Sequence, residues 1–181
     1  NEVRIAREGK PARIIAKMNA LLEPELIDEL YLASQAGVQI DLVIRGVCAL
    51  RPGVPGLSDN IRVRSVVGRF LEHSRIFFFR NDSANDVYLA SADWLPRNFV
   101  RRIELAYPVE DGVLRERIIR EILKTSLADN LKARFLQRDA SYRRSEPARS
   151  DAPCRDTARS IPPTRWESAP PGTRPVRGPT A

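Results

Sequence analysis

Residues 12 to 45 read as strand, helix, strand, and that order limits the fold more than any other feature of the chain. Ala12-Arg-Ile-Ile-Ala-Lys-Met18 is a short β-branched run after Gly9 and Pro11, the pattern of a buried strand. Pro24 to Ala36 puts Leu26, Ile27, Leu30, Tyr31 and Ala33 at helical spacing, with Pro24 suited to a first turn and Gly37 to the stop. Val38 to Arg45 is a second apolar strand. Crossovers of this kind are right-handed and build parallel sheet, so the spacing predicts an α/β fold.

The rest of the first 140 residues extends that sheet. After the turn-rich Arg51-Pro-Gly-Val-Pro-Gly56, a third strand is expected over Ile61 to Val67. Ile76 to Arg80 and Asp86 to Ser91 read as two more, separated by Asn81-Asp-Ser-Ala-Asn85, which is hairpin turn chemistry. Arg101 to Tyr107 alternates like a partly exposed strand, and helices are expected over Val113 to Thr125 and Ala128 to Gln137. The expected architecture is a mixed sheet flanked by helices. Beyond Arg144 the composition changes: eight of the 14 prolines and one aromatic, Trp166, fall between Ser145 and Ala181. Such a stretch buries too little apolar area to offset its ordering entropy. Residues 1–10 are therefore read as the end of a preceding connector, 11–140 as the folded domain, and 141–181 as a Pro/Arg-rich disordered tail.

Thirty Lys and Arg against 23 Asp and Glu leave a net charge of +7, which favours anionic partners: nucleic acid, nucleotides or inorganic polyphosphate. Arginine supplies nearly all of it, and its planar fork matches phosphate oxygens in pairs. Cys48 and Cys154 have no Cys or His companion at ligand spacing, so neither a zinc site nor a disulfide framework is indicated, and a cytoplasmic setting is expected. No apolar run approaches the length that spans a bilayer. The first residue is Asn1 rather than Met, as expected for a piece of a longer polypeptide.

The only histidine, His73, lies among Arg69, Arg75 and Arg80. A group that exchanges protons near neutral pH suits phosphate chemistry in such company, although a structural histidine bonded at a helix end fits equally well when His73 is taken alone. Arg45 ends the second strand before Gly46, at the strand edge where α/β sheets hold ligands. Ser91, Asp93 and Asn98 also fall at strand ends or in loops, and all are expected to converge with His73 and Arg75 on one edge.

His73-Ser-Arg75, followed by Ser91-Ala-Asp-Trp-Leu-Pro-Arg-Asn98, is similar to the catalytic motif of the phospholipase D superfamily. Arg75 stands where that superfamily has lysine, and Ala90-Ser-Ala-Asp93 where it has Gly-Ser-x-Asn. Two such motifs make a site there, and this chain has one. Together with Ala12-Arg-Ile-Ile-Ala-Lys-Met-Asn-Ala-Leu21, Leu42-Val-Ile-Arg-Gly-Val-Cys48, Ser58-Asp-Asn-Ile-Arg-Val-Arg-Ser65 and Arg69-Phe-Leu-Glu-His-Ser-Arg75, these residues closely resemble the last, phospholipase D-like domain of bacterial polyphosphate kinase. The resemblance covers roughly residues 8 to 138, and the tail departs from it.

That resemblance implies reversible transfer of the ATP γ-phosphoryl to polyphosphate through a phosphohistidine on the preceding domain, with this chain inactive alone. Arg45 and His73 match the family's nucleotide-site arginine and histidine. Arg75 is expected as a phosphate clamp or as a partner of Glu72 or Glu104, and Ser91, Asp93 and Asn98 as supports of His73 or as turn caps. The Mg2+ ligands are expected outside this chain, which then holds no metal. ATP or ADP, polyphosphate and the remaining domains are the implied partners, in a cytoplasmic homo-oligomer that includes the option of peripheral attachment to the inner membrane, with no specific nucleic acid. Two other functions remain open: a polyanion-binding module without chemistry, and a homodimeric phosphodiesterase or nuclease with one His73 from each copy.

Overall fold

A computed structural model of the chain describes residues 1–69, 71–145 and 154. Its element order is α1 (Glu2–Arg7), β1 (Arg13–Met18), α2 (Pro24–Gln35), β2 (Gln39–Ile44), β3 (Ile61–Ser65), β4 (Arg75–Phe79), β5 (Asp86–Ala90), α3 (Pro96–Val100), β6 (Ala106–Pro108), α4 (Gly112–Arg117), α5 (Lys124–Ala128), β7 (Arg134–Leu136) and β8 (Tyr142–Arg144). One mixed sheet runs in the order β6-β5-β4-β1-β2-β3-β7-β8. Strands β1, β2 and β3 are parallel, and every other pairing is antiparallel.

The expected unit of β1, α2 and β2 is present, and its residues explain the geometry. Pro24 opens α2, Gly37 at φ +96° takes the chain out of it, and Ile27, Leu30 and Ala33 face inward. β1 and β2 are central strands buried on both faces, with Ile14 beside Ile40 and Ala16 beside Leu42. On one face Ile14, Met18, Leu42 and Ile44 pack with Leu30 of α2 and Ile5 of α1. On the other, Ile15, Ile76, Phe78 and Val87 pack against Ile119 and Leu123. Full burial of each such aliphatic side chain contributes about 1.5–3 kcal/mol.

Several boundaries differ from the expectation. The stretch taken as a connector contains α1, whose Ile5 is fully buried and whose Glu2 accepts from the backbone N–H of Arg13 and Asn81. The helix after Asp111 continues from α4 through a π-helical turn, Ile118–Leu123, into α5. Of the helix expected over 128–137 only Ala128 is helical, as the last residue of α5. There Asp129 Oδ1 accepts the N–H groups of Leu131, Lys132 and Ala133 at 3.1, 2.7 and 2.9 Å, which turns the chain and frees β7 to pair with β3. The strand expected over 101–107 is confined to Ala106–Pro108, because Pro96 starts α3 and the Ser91 N–H and Oγ tie down Leu105 across the intervening loop.

The expected tail meets the sheet at its outset: Tyr142–Arg144 pair with Arg134–Leu136 as an edge strand, and the Asn130 N–H donates to Cys154 O while the Cys154 N–H donates to Asn130 Oδ1. The other residues expected as disordered lie outside the described residues. Among the described residues no helix is long and apolar enough to cross a membrane.

Candidate active site

The carboxyl ends of β1 and β2, the start of β4 and the end of β5 meet on one edge of the sheet. After β1 the chain runs between the segments that follow β2 and β5: Leu21 bridges to both Cys48 and Trp94. Stacking of Trp94 on Phe77 of β4, with ring centres 4.9 Å apart, sets the position of the adjacent Asp93. The Gly46 N–H donates to Asn19 O at 2.8 Å, and a Cβ at residue 46 would stand only 3.0 Å from that oxygen. Glycine there lets the two strand ends approach.

Asp93 is the hub. Its carboxylate accepts from Arg75 Nε at 2.9 Å and Nη2 at 3.0 Å, and from the Asn19 backbone N–H at 2.8 Å. Burial alone would raise the Asp93 pKa, but the guanidinium of Arg75 and the N–H groups of Asn19 outweigh it and hold the carboxyl below its usual range. Asn98 Nδ2 donates to Asp93 O at 2.8 Å, and its buried Oδ1 has no partner among the described residues. Both members of the Arg75–Asp93 pair are nearly out of solvent, with side chains 13% and 10% exposed.

His73 lies over this pair with its ring exposed. Nδ1 is 3.1 Å from Asn19 Nδ2, and Nε2 is 3.0 Å from Arg75 Nη2. A neutral imidazole has one lone pair, so it accepts from one of these donors at a time. An anionic oxygen beside the ring would take the donor left over, together with the ring's own N–H. This is an arrangement that can hold a phosphoryl oxygen and exchange a proton with it.

The expected residues thus divide. His73, Arg75 and Asp93 are in direct contact, and Asn98 supports them from behind. Arg75 pairs with neither Glu72 nor Glu104, and Asp93 occupies its fork instead. Ser91 is not in the cluster: its Oγ bonds Glu104 and the Leu105 N–H. Arg45 opens onto a neighbouring cleft of about 560 Å³, shared with Ser65, Lys132, Arg134, Tyr142 and Arg144. Among the described residues no carboxylate lines this cleft. Among the described residues the side chains of Arg45, Lys132 and Arg134 have no hydrogen-bond or ion-pair partner, while Arg144 donates to Leu131 O.

Asn19 and the cations of β7 and β8 were missed. Asn19 carried a signal, since it directly follows a buried strand, at the edge where ligands gather. Lys132, Arg134 and Arg144 had none, because the stretch that holds them was assigned to a helix and a tail. The magnesium that the fold family implies does not fit this cluster. Its one carboxylate is taken by Arg75, and among the described residues no group of three His, Cys, Asp or Glu side chains is disposed to hold a metal ion.

Comparison with known proteins agrees with the fold. The chain is 59% identical over 143 residues to a polyphosphate kinase of Burkholderia ambifaria, covering 79% of this chain and 21% of that one. The crystal structure of the polyphosphate kinase from Porphyromonas gingivalis superposes with a TM-score of 0.82 at 42% identity, over 87% of this chain and 24% of that one. A phospholipase D family member, Nuc from Salmonella typhimurium, shares the fold at 15% identity, with a TM-score of 0.54 over 75% of this chain and 88% of that one. The chain spans about a fifth of the length of the curated relatives it matches. The family model described as polyphosphate kinase C-terminal domain 2 matches residues 1–156, and the chain, with its phospholipase D-like mixed sheet, belongs to that family.

Proposed function

We propose that this chain supplies the nucleotide- and phosphate-holding half of a polyphosphate kinase active site, the half that carries the phosphorylated histidine lying on a preceding domain. The observation that carries the reading is an exposed His73 held between two donors, next to a cleft on the same sheet edge where Arg45, Lys132 and Arg134 have no side-chain partner among the described residues. Phosphoryl transfer needs positioning and charge stabilisation more than covalent help from the protein. Arg45 and the cleft hold phosphates of ATP or of the polyphosphate chain. His73 donates to, or takes a proton from, the phosphoryl or leaving oxygen as the group moves between ATP and the phosphohistidine. Arg75, buried against Asp93, orients the His73 ring and offers one further donor to an oxygen. Asp93 and Asn98 support the pair, and Ser91 has no part in the chemistry. Magnesium arrives with the nucleotide or on ligands outside this chain. A cytoplasmic setting and assembly of more than one copy belong to the same reading.

The test is His73→Ala in the protein joined to its preceding domains. Loss of general acid–base help lowers the rate of ATP-dependent polyphosphate synthesis by about 10²–10⁴-fold, with the melting temperature unchanged. Near-normal synthesis by a folded variant would remove His73 from the mechanism. The chain by itself is expected not to turn over, and label on His73 from γ-labelled ATP would overturn that. Polyanion binding that ignores His73→Ala but weakens in Arg45→Ala would support a binding module without chemistry. Cleavage of a phosphodiester by the isolated chain would support the homodimeric phosphodiesterase.

A further inference from the structure

Lys17 is a cation inside an apolar strand. Five of the six residues of β1 are buried, and Lys17, 5% exposed, lies opposite Val43 on one side and Ile76 on the other. A buried ammonium costs several kcal/mol unless it is paired, and an aliphatic side chain of similar volume is often neutral or stabilising in its place. Core packing therefore gives no reason for lysine here. Its partners do: Nζ lies 2.9 Å from Ser74 Oγ and 3.5 Å from Glu72 Oε2. These two residues flank His73.

The segment they belong to needs such a grip. Residues 71–74, between β3 and β4, make no backbone–backbone hydrogen bond with any other described residue. Their position is set by side chains that reach across from β1 and β4. Lys17 takes Glu72 and Ser74, Asn19 meets the His73 ring, and Arg75 meets that ring from the other side and donates to His73 O at 3.4 Å. Lys17 and Asn19 are two residues apart, so the end of β1 presents them toward the same side of the sheet.

We infer that Lys17 is a positioning residue: by gripping Glu72 and Ser74 on either side of His73 it fixes the imidazole over Arg75 and Asp93. The inference stands whether or not the chain acts in phosphoryl transfer, since it concerns only where the ring is held. His73 is the single histidine, so its ring signals are a unique probe in this chain. The test is NMR on the 181-residue chain labelled at histidine and backbone nitrogen, comparing wild type with Lys17→Met and with the loop-side double variant Glu72→Gln/Ser74→Ala. In both variants the His73 amide order parameter is expected to fall from about 0.85 to below about 0.6, with the ring signals moving toward those of free histidine. Unchanged ring signals and order in the double variant, whose substitutions lie near the surface, would overturn the inference even if Lys17→Met fails to fold. Loosening in both variants with amide dispersion retained elsewhere would establish it.

Discussion

The two edges of the parallel part of the sheet carry similar kinds of side chain and use them in opposite ways. At the amino edge Gln39, Asn60 and Ser34 are used up on each other: Gln39 donates to Asn60 Oδ1 at 2.8 Å, Asn60 Nδ2 donates to Ser34 O at 2.9 Å, and the Asn60 N–H donates to Ser34 Oγ at 3.2 Å. At the carboxyl edge an imidazole faces two donors with one lone pair, and Arg45, Lys132 and Arg134 line a cleft without a partner among the described residues. The amide and hydroxyl groups of the amino edge are closed by their own hydrogen bonds, whereas the carboxyl edge keeps donors in excess around an imidazole and gathers cations in the adjoining cleft. Excess donors at the carboxyl ends of parallel strands are what an anionic ligand requires.

Breaking the hub of the open edge should have the largest structural effect. Asp93→Asn leaves the Arg75 guanidinium buried without its counter-charge, an expected loss of about 3–5 kcal/mol in denaturant unfolding. Because the folded-state pKa of Asp93 is depressed, its contribution is present above the ordinary carboxyl value and lost as acid protonates it. Wild-type stability should therefore decline below about pH 4, and Asp93→Asn should flatten that part of the profile. An unchanged acid slope in the variant would mean that the pair does not hold the edge together.

Asn60→Ala addresses the closed edge. Loss of its side-chain hydrogen bonds should cost about 1–2 kcal/mol of stability and leave affinity for phosphate compounds unchanged. A variant that lost phosphate affinity at full stability would erase the distinction between the edges. A smaller effect is expected at Cys48, just beyond Gly46, where burial pushes the thiol up to about 11. It should stay protonated and alkylate slowly at pH 8 in the folded chain, and prompt labelling would show that the segment opens readily.

Much of the carboxyl edge was legible in the sequence, for identifiable reasons. Long apolar strands and a helix with both end signals declared β1, α2 and β2, and the topology of that unit brings strand ends to one edge whatever the rest of the chain does. His73, Arg75 and Asp93 could be placed there because each follows or precedes a strong strand pattern. The partner of Arg75 could not be read in advance, since Glu72, Asp93 and Glu104 all fall at or near the same strand ends, and the Trp94 stack on Phe77 decides among them. Lys17 looks like an interruption of an apolar run until Glu72 and Ser74 are seen above it. Strands β7 and β8 are three residues each, too short for any periodicity, and the turn that makes them possible depends on one carboxylate capturing three N–H groups. The cations they carry into the cleft were therefore invisible.

The central claim is that the carboxyl-edge cleft holds phosphate through Arg45 and Arg134, and that Arg138 at the amino edge takes no part. Arg138 provides the control, lying beyond the far end of β7 beside Ile61 at the amino end of β3. Inorganic polyphosphate of defined length, titrated calorimetrically into the chain at several salt concentrations, compares the two edges directly. Arg45→Ala/Arg134→Ala is expected to weaken binding at least about tenfold and to lower the slope of log affinity against log salt by about 2, one for each phosphate-contacting cation removed, while Arg138→Ala changes neither. Equal losses in the double variant and in Arg138→Ala, or none in either, would contradict the account.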